Sequence, residues 1–466
     1  MRTASLDAGS TYVVRELDVP GTVLRQLAAE LPDAYPVLLD SAAEGPLSRM
    51  SILAARPHAA LWLDEQGKLG AEGFTPSGTS FLGALENWWR AERIPQRNAA
   101  FPFTGGWFVF LSYEIAQEIE PRLQLPRAPN PWQAFALRTS CALVHDLATN
   151  KVFAIAETDS AKVLEQVVAD ALDVAKRGAP TRGPIRVAQI QEEAPDVHME
   201  RVRRAKDYIR AGDIYQANLS RPWEVTLADE VSAGAVYERL CAANPAPFAA
   251  LVQWRGVSIL SSSPERLARV SNGKIETRPI AGTRPRSRKP GGDVSEMSEL
   301  AAHPKERAEH VMLIDLERND LGRVCLAGTV KVDEFMTIES YAHVHHIVSN
   351  VSGRLRPDVT PIGALRAVFP GGTITGCPKI RCMEIIAELE GIGRGAYTGS
   401  LGFLSRDGTM DMNILIRTMT MTGRHVTLRA GGGIVADSIP ERELEETRAK
   451  ARGLLATFAS AEGNTS

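Results

Sequence analysis

Only five cysteines occur in the 466 residues (Cys141, Cys241, Cys325, Cys377 and Cys382), an odd number with no CxxC pair. That argues against a disulfide framework and against a cysteine-rich zinc site, and it fits free thiols in a reducing cytoplasm. No run approaches the ~18 apolar residues that a membrane span needs. The opening residues, MRTASLDAGSTYVVREL, lack the apolar stretch of a secretory signal. A strong charge of either sign is missing too: the net charge is -3, which argues against nucleic acid as a partner. No 20–50-residue period marks a repeat array. Neither a GxxxxGK[ST] loop nor a GxGxxG fingerprint is present, so two common nucleotide-binding modes are excluded.

What is present is the composition of an ordinary soluble globular protein, with 44% hydrophobic and 23% charged residues. One break interrupts the chain. Residues 176–197 are rich in Pro, Gly and charge without a clean period, and they read as a linker between two unequal parts. Before it lie short β-like runs (YPVLLD, AALWLD, GGWFVFLSY, KVFAIAE). After it, strand candidates (PFAALVQW, VSILSSS, TVKVDEFMTIE, HVTLRAGGG) alternate with helical stretches.

Four of those helices matter. One covers Met199 to Ala211 and leads into GDIYQANLS. A second opens at Pro304, a residue favoured in a first turn because its missing N–H would be unpaired anyway. A third opens at Pro378 after FPGGTITG. The fourth starts at Ser438, where S-I-P-E predicts a capping box with Glu441 reaching back. Glu306 and Glu309 are three apart on the second helix and share a face, as Glu443 and Glu446 do on the fourth, with Lys450 a turn beyond. Two such pairs suit a hard cation with oxygen ligands, such as Mg²⁺ beside an anionic substrate. A solvated helix face gives the same spacing.

The glycine-rich segments Ala430–Ser438 and GGTITG offer backbone N–H groups to a carboxylate or phosphate, or are simply tight strand-to-helix turns. Arg417 lies in a strand-like run, where a buried Arg needs an anionic partner, protein or substrate. In YAHVHHIVS, His343 and His345 face one side of a strand and His346 the other, with no further ligands nearby to make a zinc cluster.

The order and wording of these segments carry a resemblance. SPER (Ser263–Arg266), RPIAGTRPR (Arg278–Arg286), HPKERAEH, DLERNDLGRV, FPGGTITGCPK, IRT and GGGIVADS together resemble the chorismate-utilising enzymes, whose members include anthranilate, aminodeoxychorismate and isochorismate synthases. The likeness runs from about Val202 to Leu455. It continues more weakly into the first part through LLDSAAEGPLSRMSI and GGWFVFLSYE. It implies an α+β fold of two large packed antiparallel sheets flanked by helices, with residues 1–175 as an anthranilate synthase component I-like region and 198–460 as the chorismate-binding catalytic region, both in one body.

The resemblance also implies roles. Chorismate would be held through its carboxylates by Arg417, Tyr397, Lys450 and the amides of Gly431, Gly432 and Gly433. Mg²⁺ would bridge substrate to Glu309 and Glu446, supported by Glu306 and Glu443. Glu265 would be the general acid–base, Thr283 a ring-hydroxyl contact, and His346 the group assisting loss of the C4 hydroxyl. Gln216 stands where isochorismate-forming members carry a lysine base, so the expected nucleophile is ammonia, supplied by a separate glutaminase subunit.

Two amine-forming branches remain. Ala281 replaces the lysine of the PIKGT pattern of many aminodeoxychorismate synthases and matches anthranilate synthases. FPGGTITG instead of FPAGTLSG, GGG instead of GAG at Gly431–Gly433, His345 and GPLSRMSI favour the aminodeoxychorismate branch, which is the expectation here; anthranilate synthase component I is the alternative. LLDS in place of LLES argues against tryptophan feedback. A non-catalytic chorismate-binding regulator is a further alternative, against which most of the expected polar site residues stand.

Overall fold

The computed structural model describes residues 11–458 apart from 44, 46, 48, 97–99, 179–183, 287–303 and 341–343. Its frame is two antiparallel sheets, one of 12 strands and one of 11. The two halves of the sequence do not form separate layers. In the first sheet, Val37–Asp40 from the N-terminal region pairs with Phe248–Trp254 from the C-terminal region, with Leu38 opposite Leu251. In the second, Gly106–Leu111 pairs with Ser400–Ser405 in the same manner.

The aromatic content is low, 6%, but it is concentrated where the sheets meet. Phe103, Phe108, Phe110, Trp132, Phe135 and Phe403 pack there with Val37, Ile52, Val252 and Ile259. Large rings fill the ~10 Å gap between stacked sheets with few side chains. Because helices cover the outer faces, strands such as Gly106–Leu111 are buried on both sides. They read as continuous hydrophobic runs rather than alternating ones. No helix among the described residues is long and apolar enough to cross a membrane.

Local signals hold in most places and fail in two. Helices Phe81–Glu92, Ala233–Ala243 and Pro361–Val368 are capped by Ser80, Ser232 and Thr360, each side chain accepting from the N–H three residues on. The fourth predicted helix runs Pro440–Leu455 without the expected capping box. Ser438 Oγ instead accepts from Val435 N at 3.0 Å, closing the turn that precedes the helix. The stretch 176–197 is not all linker. Val187–Glu192 is an edge strand on Gln216–Leu227, and a helix already begins at Pro195. The strand is almost wholly solvent-facing, so no hydrophobic alternation marked it.

Candidate active site

Two chain crossings form the floor of the site. Val257–Ser263 belongs to the first sheet and Arg266–Ser271 to the second, so Pro264 and Glu265 span the gap between them. Met410–Asn413 and Thr418–Thr422 make the reverse crossing, with Arg417 in between. The crossings are stitched together: Ile414 N donates to Glu265 O at 3.0 Å and Ser262 N to Arg417 O at 3.0 Å. Ser261 and Thr418 hydroxyls meet at 2.9 Å. Arg417 is therefore not in a strand, as its apolar neighbours suggested. It takes a left-handed backbone, φ 51°, at the sheet-to-sheet step.

This seam sets the chemistry. Glu265 is 4% exposed, and its Oε1 has no hydrogen-bond partner among the described residues. Burial is the main force pushing its carboxyl up to about 8; Glu317 pushes the same way, while Thr373, the Ile280 backbone and Arg417 oppose it. Such a group remains protonated at neutral pH, as a general acid requires. His346 lies nearby on the strand Val344–Arg354. Burial, reinforced by Arg417, drops it to about 3, so it stays a neutral imidazole.

The glycines form a second wall. Within the strand His425–Ile434, Gly431–Gly433 pair with Ser220–Asn218. A Cβ on Gly431 would come within 2.8 Å of the Tyr397 hydroxyl, and one on Gly433 within 2.2 Å of Gln216 Nε2. The bare backbone is thus what lets these two side chains approach. Gln216 is 8% exposed and its Oε1 has no partner among the described residues. On the other side, a Cβ at Gly432 would meet Glu446 Oε1 at 3.3 Å and Glu443 Oε2 at 3.5 Å. Lys450 Nζ bonds both Gly431 O and Glu446 Oε1 at 2.8 Å.

The structure gathers these predicted residues unevenly. Glu265, Arg417 and His346 share the seam; Gln216, Tyr397, Glu443, Glu446 and Lys450 share the glycine strand. Glu309 is half-buried on the helix Pro304–Gly322, and no cluster of three or more carboxylate, His or Cys ligands closes among the described residues. Glu306 belongs to that helix, and Ala281 and Thr283 to the strand Ile280–Pro285, with Thr283 opposite His346 in register; the side chains of all three, and all of His343, lie outside the described residues. The carboxylates expected to hold a metal are of a type that fits an oxygen-preferring ion: Glu443 and Glu446 converge at Gly432, and Mg²⁺ commonly takes one or two protein carboxylates and completes its shell with substrate and water.

Sequence reasoning missed Glu317, which is buried and raised to about 7, chiefly by burial and then by Asp320. It also missed Thr373, whose hydroxyl acts on the Glu265 carboxyl, and Asn218, whose Oδ1 is buried without a partner among the described residues. Asn218 Oδ1 and Gln216 Oε1 are thus unsatisfied buried polar atoms, which native proteins keep rare and which point to a polar ligand.

Comparison with known proteins shows the family. The family model for chorismate binding enzymes matches residues 49–456. A Synechocystis anthranilate synthase component I-like protein is 43% identical over 373 residues, 79% of this chain and 75% of its own. Aminodeoxychorismate synthase component 1 of Bacillus subtilis is 40% identical over 384 residues, 79% of this chain and 80% of its own. The crystal structure of anthranilate synthase component I from Streptococcus pneumoniae superposes with a TM-score of 0.77 at 31% identity, over 88% of this chain and 93% of that one.

Proposed function

This chain belongs to the chorismate binding enzymes, and from that premise we propose that it is the ammonia-using component I of aminodeoxychorismate synthase. In this reading chorismate and ammonia give 4-amino-4-deoxychorismate and water, residues 198–460 carry the catalysis, and a glutaminase subunit supplies ammonia in the cytoplasm.

The observation that carries the branch assignment is the residue type at two positions, Gly371 and Gly432. Where the anthranilate pattern has alanine, a Cβ at Gly371 would sit 2.8 Å from Ile414 Cδ1, and one at Gly432 would press on Glu446. Ile414 N is the group bonded to Glu265 O. Both contacts are to the ends of flexible side chains, so they support the glycines of the aminodeoxychorismate pattern without requiring them. The 40% identical Bacillus subtilis relative supports the same branch. Ala281, and the anthranilate synthase names among the similar proteins, favour anthranilate synthase component I as the second reading.

Arg417, Tyr397 and Lys450 hold the substrate carboxylates, with Glu309, Glu446, Glu306 and Glu443 as the Mg²⁺ set. Bound there, Mg²⁺ would supply neutralisation of the substrate's carboxylate charge. Glu265 supplies a proton to the leaving ring hydroxyl, which departs as water, and His346 assists as a neutral hydrogen-bonding imidazole. Gln216 cannot take a proton from water at neutral pH, so it orients ammonia rather than generating hydroxide. The test is product analysis with chorismate, ammonium and Mg²⁺. A 4-amino product without pyruvate is expected, becoming p-aminobenzoate only when a lyase is added. Fluorescent anthranilate with stoichiometric pyruvate would leave the second reading standing.

A further inference from the structure

Behind Tyr397 lies a closed polar knot. Arg394 and Glu390 have side chains 1% exposed and pair at 2.6 Å. Burial works against the charge of Glu390, but Arg394 and Arg429 outweigh it and bring its carboxyl down to about 2. Arg394 also donates to Asn218 O at 2.7 Å and to Ile374 O at 3.2 Å. Glu390 in turn accepts from Ser220 N at 2.8 Å and from Arg429 at 2.7 Å. One guanidinium thus ties the Gln216 strand to the segment bearing Thr373, and through Glu390 to the glycine strand. Its Cζ also lies 5.7 Å from the Tyr397 ring centroid.

The backbone carrying Arg394 and Tyr397 is held from the other half of the sequence. Glu114 is 2% exposed, and its Oε1 accepts from Arg394 N at 2.7 Å and from Gly395 N at 3.2 Å. Tyr113 N donates to Gly395 O at 3.0 Å. The loop has no slack on that side: a Cβ at Gly393 would lie 2.0 Å from Arg127 O, and one at Gly395 2.9 Å from Pro129 Cδ. The Ser112 hydroxyl also acts on this carboxyl, but the two loop N–H groups both fall on Oε1.

We propose that Glu114 is a positioning residue for the substrate site, its Oε1 setting the 391–398 loop so that Tyr397 and Arg394 stay aligned with the strands bearing Gln216 and Gly431. This rests on the reading that Tyr397 holds a chorismate carboxylate. It makes the N-terminal region a direct support of the catalytic site, acting by the position of an oxygen and not by its charge.

That distinction is testable in the full chain. Glu114→Gln keeps an oxygen at the same reach and removes the ionisable carboxyl; Glu114→Asp keeps the carboxyl and retracts the oxygen by one methylene. Steady-state kinetics with chorismate, ammonium and Mg²⁺ are measured beside thermal unfolding, with Tyr397→Phe as a parallel arm. Expected are a KM for chorismate near wild type for Gln and one raised roughly tenfold for Asp, the scale of a mispositioned buried acceptor, with kcat changing less. Asp tolerated and Gln impaired would overturn the proposal, as would both variants keeping wild-type KM while Tyr397→Phe raises it. If Asp does not fold, a raised KM in the Gln variant overturns the proposal and a wild-type KM upholds it. If Tyr397→Phe leaves KM unchanged, the reading of Tyr397 falls and this inference with it.

Discussion

Replacing Glu265 by glutamine tests the centre of the mechanism, because the shape is kept and only the transferable proton is lost. The structure sets the size of the effect. A carboxyl at its ordinary 4.5, raised here to about 8, changes from about one protonated molecule in 300 at pH 7 to roughly nine in ten. Burial therefore provides about 300-fold more of the acid form than an exposed glutamate would have. Glu265→Gln should bind chorismate but turn over roughly 100- to 10,000-fold more slowly, the range of a lost general acid. The assay is kcat/KM against pH from 6 to 9.5, holding free ammonia constant by adjusting total ammonium, since otherwise the nucleophile itself titrates. Wild type should lose activity as pH rises through about 8, because the acid form disappears there. His346 is already neutral well below this range, so it adds no limb. In Glu265→Gln the residual activity should be flat at the alkaline end. A loss below tenfold, or an alkaline limb that survives the substitution, would refute the assignment of Glu265 as the acid.

Glu317→Gln should move the same limb to lower pH, since the Glu317 charge is one of the forces raising Glu265; an unmoved limb removes Glu317 from the site's electrostatics. Glu309→Gln and Glu446→Gln should each cost more than ~100-fold in turnover and weaken Mg²⁺ binding measured by titration, with little change in Tm because Glu446 and Lys450 form a half-exposed pair worth about 0–1 kcal/mol. Full activity of both variants in EDTA would end the metal reading. The purified chain should use ammonium but not glutamine: Cys141, Cys241 and Cys382 are buried with thiols pushed up to about 12, and Cys377 and Cys325 are also raised by burial. Glutamine-dependent turnover without a second subunit would contradict this. Gln216→Lys should let water compete with ammonia and yield a hydroxylated isomer; unchanged products would mean that Gln216 does not face the nucleophile.

The sequence by itself determined the parts whose signal is local. The helix bearing Glu306 and Glu309 begins at Pro304 as read, because a proline in the first turn and a carboxylate spacing of three are properties of one segment. The strands Phe248–Trp254, Val257–Ser263 and His425–Ile434 were legible for the same reason. So was the family, since its motifs are contiguous. Tertiary structure decided what depends on distant partners. Arg417 looks like a strand residue until the two sheet-to-sheet crossings are laid side by side. Ser438 looks like a helix cap until its hydroxyl is seen spent on Val435 N. The motif singled out Glu265 through the family resemblance, but the raised position of its carboxyl comes from desolvation by residues far along the chain. Glu114 and Arg394 are 280 residues apart, and no periodicity encodes a hydrogen bond at that separation. Patterns of 2 and 3.6 residues report which face of an element is buried; which charged groups then meet, and in what dielectric, is fixed only when the two sheets close on each other.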